Sequence, residues 1–185
     1  SSAFRGCNNI PAYSVDAANP NFKTEEGILF SKDGTRLVIY PTGKRDSSFS
    51  TPANLKEVGD NAFRGCSNLR TITLNEGLEK IGSFAFASDY ITSMTIPASV
   101  TSIGDAPFLL CFDFNDLQIA EGNTNFEINS YYLYDKSRNR ILQVVKTLPR
   151  GVNIPAGTES IGQYTFYHQE MSRLILPSSL KQVDM

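Results

Sequence analysis

The sequence predicts a solenoid in which short parallel strands of successive coils stack on one another and are joined by turns. The apolar pattern of residues 55–77 begins again at Leu78, and self-similarity at roughly 20–50 residues is typical of repeat proteins. Each unit ends in an alternating apolar run, such as Leu69, Ile72 and Leu74, which favours a strand with one buried face. A unit this short cannot bury its apolar face alone, so successive units must stack.

The length and composition are those of a globular domain. The chain has 185 residues, enough for one sizeable core, with 41% hydrophobic and 19% charged residues. The net charge is −2 and no basic stripe is present, which argues against nucleic acid as a partner. No apolar run of about 18 residues could span a membrane. Residues 1–20 do not read as a signal peptide, which decides little because the chain opens within a repeat.

The first residues match the back half of a repeat, and we assign a partial repeat to residues 3–15. The matching pairs are Ala3 with Ala62, Phe4 with Phe63 and Cys7 with Cys66. Because the front half is missing, we expect the parent protein to extend upstream.

Residues 16–50 interrupt the period and are predicted to form a β-hairpin insertion. Two β-rich runs, at 27–30 and 35–40, flank Ser31-Lys32-Asp33-Gly34, and Asp-Gly between apolar runs is a strong hairpin signal. Pro41 ends the second run. Residues 42–51 are predicted to form a polar return loop.

Three full repeats follow in tandem, at 55–77, 78–99 and 100–119. Residues 120–153 then interrupt the period again, and they echo the first insertion at an offset of 104, since Asn123 matches Asn19 and Leu133 matches Leu29. A further repeat covers 158–179, and a partial one covers 180–185. We therefore predict one solenoid domain over residues 1–185, with hairpin insertions at about 16–50 and 120–153.

Each coil is predicted to turn at a glycine. Four glycines share one register, where the chain is expected to need a positive φ: Gly59, Gly82, Gly104 and Gly162. Residues 60–64 should then form a single helical or 3₁₀ turn. The rings at one register, Phe4, Phe63, Phe86, Phe108 and Phe166, are expected to stack as a ladder inside the coil. The strands at 69–74, 91–96, 114–119 and 171–176 are predicted to be parallel neighbours in one sheet, with residues 10–15 at its edge.

The repeat motif resembles the BspA-type leucine-rich repeat. The motif reads VGDNAFRGCSNLRTITL at 58–74, IGSFAFASDYITSMTIP at 81–97 and IGQYTFYHQEMSRLILP at 161–177. Asp89 and Gln169 depart from it at a cysteine position, and Pro107 departs at an alanine position. The resemblance implies a right-handed α/β leucine-rich-repeat solenoid. It also implies a secreted or surface protein of gut or oral bacteria, often an adhesin, without shared catalytic residues.

The predicted ligand site is the exposed face of the strand row, where small hydroxyls and amides suit hydrogen bonding to a protein or a glycan. Its residues are Thr71, Thr73, Ser93, Thr95, Asp116, Gln118 and Arg173, with Ile175 beside them. No cofactor or metal is predicted, and the oligomeric state is left open. The leading hypothesis is a binding or adhesion module, and the alternative is a structural spacer within a larger surface protein.

The sequence gives only weak signals for disulfide or metal chemistry. Cys7, Cys66 and Cys111 share one repeat position, which predicts buried free thiols, although Cys7 and Cys66 could be close enough for a disulfide. Three cysteines and one histidine, His168, are spread over separate coils and do not indicate zinc.

Two further groups of residues bear on function. The tyrosines of the second insertion, Tyr131, Tyr132 and Tyr134, suit an interface, but packing of the hairpin on the solenoid is favoured. A glycan hydrolase would need paired carboxylates, and no motif places a pair such as Asp113 and Asp116.

Overall fold

Short strands stacked in coils and joined by turns make up residues 22–183. The computed structural model describes residues 3–4 and 6–184, and in them it has 17 strands and no helix. The strands are β1 Phe22–Glu25, β2 Ile28–Ser31, β3 Arg36–Ile39, β4 Ser48–Ser50, β5 Glu57–Val58, β6 Thr71–Thr73, β7 Lys80–Ile81, β8 Ser93–Ile96, β9 Ser102–Ile103, β10 Asp116–Ile119, β11 Phe126–Asn129, β12 Tyr132–Asp135, β13 Arg140–Val144, β14 Gly151–Asn153, β15 Ser160–Ile161, β16 Arg173–Ile175 and β17 Gln182–Val183. Together they make a β-solenoid of about seven turns.

An ordinary coil has a two-residue strand, a turn segment and a longer strand. The two-residue strands β5, β7 and β9 pair in parallel, in a six-stranded sheet of order β1-β2-β3-β5-β7-β9. The longer strands form a four-stranded parallel sheet of order β10-β8-β6-β4. The second insertion begins a five-stranded sheet of order β11-β12-β13-β15-β17 and a two-stranded sheet of β14 and β16.

Each insertion contains the predicted hairpin and also supplies a coil of the solenoid. Strand β2 pairs antiparallel with β3, and Gly34 in the turn between them has a φ of 77°. Strand β3 then pairs in parallel with β5, as β13 does with β15. The predicted return loop at 42–51 is wrong in part, because it contains β4, which pairs with β6.

The predicted single sheet is also wrong in two places. Strand β16 pairs with β14 of the second insertion and not with β10. Residues 10–15 form no strand, and β4 occupies the edge beside β6 instead. The reason is the same in both places: the insertion contributes its own longer strand, which comes between the repeats that precede and follow it.

The turn segments are not helical, which corrects the predicted helical or 3₁₀ turn. We call these segments the arcs; in the ordinary coils they are residues 60–66, 83–89, 105–111 and 163–169. The N–H groups of Asn61, Phe63 and Gly65 donate to carbonyls of the next arc, at 3.0, 2.7 and 2.9 Å. A helix would use these donors within its own coil, so pairing between coils takes its place.

The glycine that recurs at one position of each repeat is not there for the predicted positive φ. The positive φ occurs two residues later, at Asn61, Phe84, Ala106 and Tyr164. At Gly59, an added Cβ would lie 3.0 Å from the carbonyl oxygen of Leu37 in the preceding coil. Glycine is therefore needed because neighbouring coils approach closely at this register.

A ladder of stacked rings runs through the core, with different members from those predicted. Phe63 is 0% exposed and stacks on Phe86 at 5.5 Å between ring centroids. Its other neighbour is Tyr40 at 5.3 Å, whereas Phe4 is 40% exposed and contacts Tyr13. The ladder continues to Phe108, but Phe166 lies outside it, against Tyr132.

Candidate functional site

The outward side chains of β6, β8 and β10 form one polar surface, which we call the strand face. Alternation along each strand buries Ile72, Met94 and Leu117 and leaves their neighbours exposed. Six predicted site residues meet on this face: Thr71, Thr73, Ser93, Thr95, Asp116 and Gln118. The strand register places Thr71 opposite Ser93, Ser93 opposite Asp116, and Thr95 opposite Gln118.

Arg173 does not join these six residues. It is exposed on β16 and lies opposite Gly151 in the separate two-stranded sheet. Ile175, next to it on the same strand, is exposed as well. The second insertion therefore divides the predicted surface into two parts.

The strand face is shallow and carries few charges. Its depression has a volume of ≈ 390 Å³, and the Gln118 amide donates to both carboxylate oxygens of Asp116 at 3.3 Å. Among the described residues lining this depression, none is His, Cys or Lys. The face can therefore donate and accept hydrogen bonds, and the one carboxylate on these three strands, that of Asp116, lies opposite Ser93 and accepts from Gln118.

The three cysteine thiols are free but differ in exposure. Cys66 is buried, Cys111 is half-buried and Cys7 is exposed, so the predicted burial is wrong for Cys7. Burial raises the pKa of the Cys66 thiol and raises that of Cys111 to about 12. Within the described ranges, no three His, Cys, Asp or Glu side chains are placed to hold a metal ion.

Asp89 takes the cysteine position between Cys66 and Cys111 and is almost completely buried. It is 2% exposed; its Oδ1 accepts the N–H of Cys66 at 2.7 Å, and its Oδ2 has no partner in the described structure. Burial raises the pKa of Asp89 to about 8, against the lowering effect of the backbone N–H groups of Cys66 and Gly65. Sequence reasoning noted the departure at this position but not its consequence.

The remaining candidates have structural surroundings. Tyr132 and Tyr134, on β12 of the second insertion, are buried, and Tyr132 contacts Phe166 of the following repeat, which confirms the packing interpretation. His168 is exposed, with its ring perpendicular to that of Tyr167. Asp113 and Asp116 are both exposed. Within residues 3–4 and 6–184, no helix has the length and apolar character that crossing a membrane requires.

A surface that sequence reasoning missed lies on the arcs. Tyr164 and Tyr167 are each 46% exposed there, and Phe84 contacts Tyr164 with 5.7 Å between ring centroids. The available signal was aromatic residues at repeat positions that are small or polar in other coils, such as Asn61 and Ala106.

The stacked coils and their parallel strand rows define a repeat scaffold. A family model described as the BspA type leucine rich repeat region matches six copies, over residues 43–150 and 145–185. The chain therefore belongs to the BspA-type leucine-rich-repeat family. No curated protein matches it.

Solved structures of bacterial leucine-rich-repeat proteins share this fold. A leucine rich cell surface protein from Faecalibacterium prausnitzii matches with a TM-score of 0.64 at 24% identity, over 74% of this chain and 37% of its own. The pneumococcal vaccine antigen PcpA matches with a TM-score of 0.56 at 24% identity, over 89% and 50%. A leucine-rich repeat protein from Eubacterium ventriosum matches with a TM-score of 0.54 at 16% identity, over 92% and 61%. The chain thus spans between about a third and three fifths of these proteins.

Proposed function

We propose that this chain is a non-enzymatic binding module and that the strand face holds its ligand. The supporting observation is that short polar side chains, all exposed, cover three adjacent strands in one register. These residues are Thr71, Thr73, Ser93, Thr95, Asp116 and Gln118. Arg173 would extend the site only across the second insertion.

A rigid strand row suits hydrogen bonding to a protein or a glycan. The backbone beneath these side chains is held by parallel pairing on both sides of β6 and β8, so little backbone freedom is lost on binding. All of these side chains except Gln118 are short, so few rotamers have to be ordered. Hydroxyl and amide side chains suit recognition by hydrogen bonding, and we propose no enzymatic activity and no nucleic-acid partner.

We place the parent protein at the surface of a bacterium or outside it. The support is family membership, together with the F. prausnitzii relative, which is described as a cell surface protein. Both this location and the strand face are consistent with adhesion to a host or microbial protein or glycan.

A structural spacer is the alternative function. The observation that favours it is the module itself, because the insertion recurs at an offset of 104 and the repeat after it at 103, and both build length whatever their outward side chains are. A spacer needs a regular core but no particular residue on the strand face.

The two functions are separated by binding assays on a glycan array and on immobilised extracellular-matrix proteins. We expect saturable binding that Thr73→Arg and Thr95→Arg each abolish, while Thr124→Arg, at an exposed turn position, leaves it unchanged. All three variants should unfold at the wild-type denaturant midpoint. Binding that is absent from both assays would favour the spacer. Binding that is insensitive to both strand-face variants would contradict the strand face as the ligand site.

A further inference from the structure

Two neighbouring depressions lie on the arcs, and we call them together the arc groove. One has a volume of ≈ 500 Å³ and lies between the arcs 105–111 and 163–169. The other, of ≈ 520 Å³, extends from Tyr164 towards Arg64 and the N-terminal residues. They share Leu109, Leu110, Tyr164 and Tyr167. Each volume is in the range of small-ligand sites, about 300–1,000 Å³.

The second insertion creates the first depression. An ordinary coil takes five residues from Val58 in β5 to Phe63, whose N–H donates to Ala85 of the next arc. The coil of β13 takes three residues from Ile141 to Val144, whose N–H donates to Thr165, so its arc is shorter and recessed.

Val144 also holds the ladder position that Tyr40 holds in the first insertion, and its side chain is too small to continue the ladder. Phe114 stacks on Phe108 at 4.4 Å instead. The recess beside these rings therefore stays open, with Gln143 accepting the N–H of Phe108 at its floor.

Exposed aromatic rings line the groove. Tyr164 lies at the junction, with ring centroids 5.7 Å from Phe84 and 5.8 Å from Tyr167. The rings stand nearly perpendicular to one another, so they present faces in different directions. Phe112, 79% exposed, lines the first depression. Such faces offer stacking surfaces for the apolar side of a sugar ring.

The charge of the groove is opposite to that of the chain. It contains Arg64 and Lys146, and none of the described residues lining either depression is Asp or Glu, although the chain has 19 acidic residues. Within the described structure, neither cation has a carboxylate partner. Arg64 is held by its hydrogen bond to Asn61 at 3.2 Å. An anionic group of a ligand could form ion pairs with these two cations.

We propose that the arc groove binds an oligosaccharide that carries carboxylates, with sugar rings on Tyr164 and Tyr167 and carboxylates on Arg64 and Lys146. An extended peptide fits less well, because strand addition needs free backbone groups. On the arcs, those groups are already paired between coils, as at Phe84, Phe86 and Ser88. Side chains are left to recognise the ligand, and amides such as Gln169 and Asn115 suit hydroxyl groups.

This site is separate from the strand face and goes beyond the proposed function. The test is titration calorimetry with a galacturonate oligosaccharide, its methyl-esterified form and poly-L-glutamate. We expect the galacturonate to bind saturably, more weakly as salt rises, and the ester and poly-L-glutamate not to bind. Tyr164→Ala and Tyr167→Ala should each raise Kd by about tenfold. Alanine is tolerated at the register of Tyr164, because Ala106 has a positive φ there as well, 46° against 57°.

Matched variants show whether the groove itself is responsible. Arg64→Gln with Lys146→Gln should abolish binding, whereas Arg138→Gln, in the hairpin turn, should leave it unchanged. Tyr90→Ala removes an equally exposed ring outside the groove and should also have no effect.

Four results would overturn the inference: no saturable binding of galacturonate at millimolar concentration, equal binding of the ester, equal loss in the Arg138 and Tyr90 controls, or binding of poly-L-glutamate with the same variant dependence. The last would assign the groove to an acidic peptide. All four results would leave the proposed strand-face site standing, because the groove and the strand face share no lining residue.

Discussion

At the scale of single residues, Asp89 has the most unusual environment, because a carboxyl group stands where neighbouring coils have a thiol. Only one of its oxygens is hydrogen-bonded, and burial raises its pKa from 3.8 to about 8. The folded protein therefore keeps a proton on Asp89 that the unfolded chain releases at lower pH.

Asp89 should make stability fall as pH rises. Its contribution is fully present below the unfolded pKa of 3.8 and is lost as pH rises through the folded pKa of about 8, with a slope of up to about 1.4 kcal/mol per pH unit. Asp89→Asn cannot ionise and keeps the acceptor for the Cys66 N–H. Urea melts should show that the variant is more stable than wild type at alkaline pH. Between pH 3.8 and about 8, its unfolding free energy should depend less on pH than that of wild type. Asp113→Asn, at an exposed position, serves as the control; parallel profiles for wild type and Asp89→Asn would contradict the argument.

Phe63 and Thr71 test the assignment of inside and outside. Phe63 is enclosed by Tyr40 and Phe86, so Phe63→Ala should cost about 3–5 kcal/mol of unfolding free energy. Thr71→Ala, on the strand face, should cost no more than about 0.5 kcal/mol. Denaturant melts of both variants measure this, and equal midpoints would mean that the two faces are exchanged.

Inside and outside could be read from the sequence at this scale, because period-two alternation depends only on a residue and its strand neighbours. The ring that stacks on Phe63 could not be predicted in this way. Phe4 has the right register, but Tyr40 comes from an insertion whose shortened arc brings it to the ladder position, and no local pattern indicates that.

At the scale of the element, the arc replaces the predicted helical turn because its N–H groups serve the next coil. Alternate residues bond within the arc and between arcs: Ala62 donates to Gly59 at 3.2 Å, whereas Phe63 donates to Ala85 at 2.7 Å. Sequence propensity cannot separate these arrangements, since both suit the same short polar and aromatic residues. The neighbouring coil decides between them.

The glycine that opens each arc should be intolerant of a side chain. In Gly82→Ala, the added Cβ would overlap the backbone nitrogen of Asp60, so we expect a loss of about 1–3 kcal/mol or more. Gly151 has nothing within 4 Å of an added Cβ, and Gly151→Ala should be neutral or slightly stabilising. Thermal melts compare the two variants; a Gly82→Ala midpoint close to that of Gly151→Ala would show that the coils can separate without cost.

At the scale of the molecule, one ion cluster joins the coils across the second insertion. Arg140 of β13 donates to Asp105 of an earlier arc at 2.7 Å and to Asp184 of the last coil at 2.5 Å. The larger module was readable from the offset of 104, but this connection was not, because its three members lie far apart in the chain.

Removing the cation from this cluster should leave two facing carboxylates half-buried. Arg140→Ala is expected to cost about 3 kcal/mol or somewhat less, since the aspartates keep some solvent. Arg138→Ala, whose side chain is largely exposed, should cost less than about 1 kcal/mol. Chemical denaturation measures the unfolding free energy of both variants. If repulsion between the carboxylates causes the loss in Arg140→Ala, that loss should disappear in a triple variant that also carries Asp105→Asn and Asp184→Asn.

The direction of the bonds between coils has a mechanical consequence. Strand pairs and arcs alike join each coil to the next, so these bonds run roughly along the solenoid axis. A chain held at its two ends and stretched along that axis loads them one coil at a time, in the manner of a zipper. Force spectroscopy should then record a series of small steps, each releasing about one repeat, or roughly 80 Å of extended chain. Such a module would lengthen under tension and shorten again when released, so it would behave as a compliant tether and not as a stiff rod.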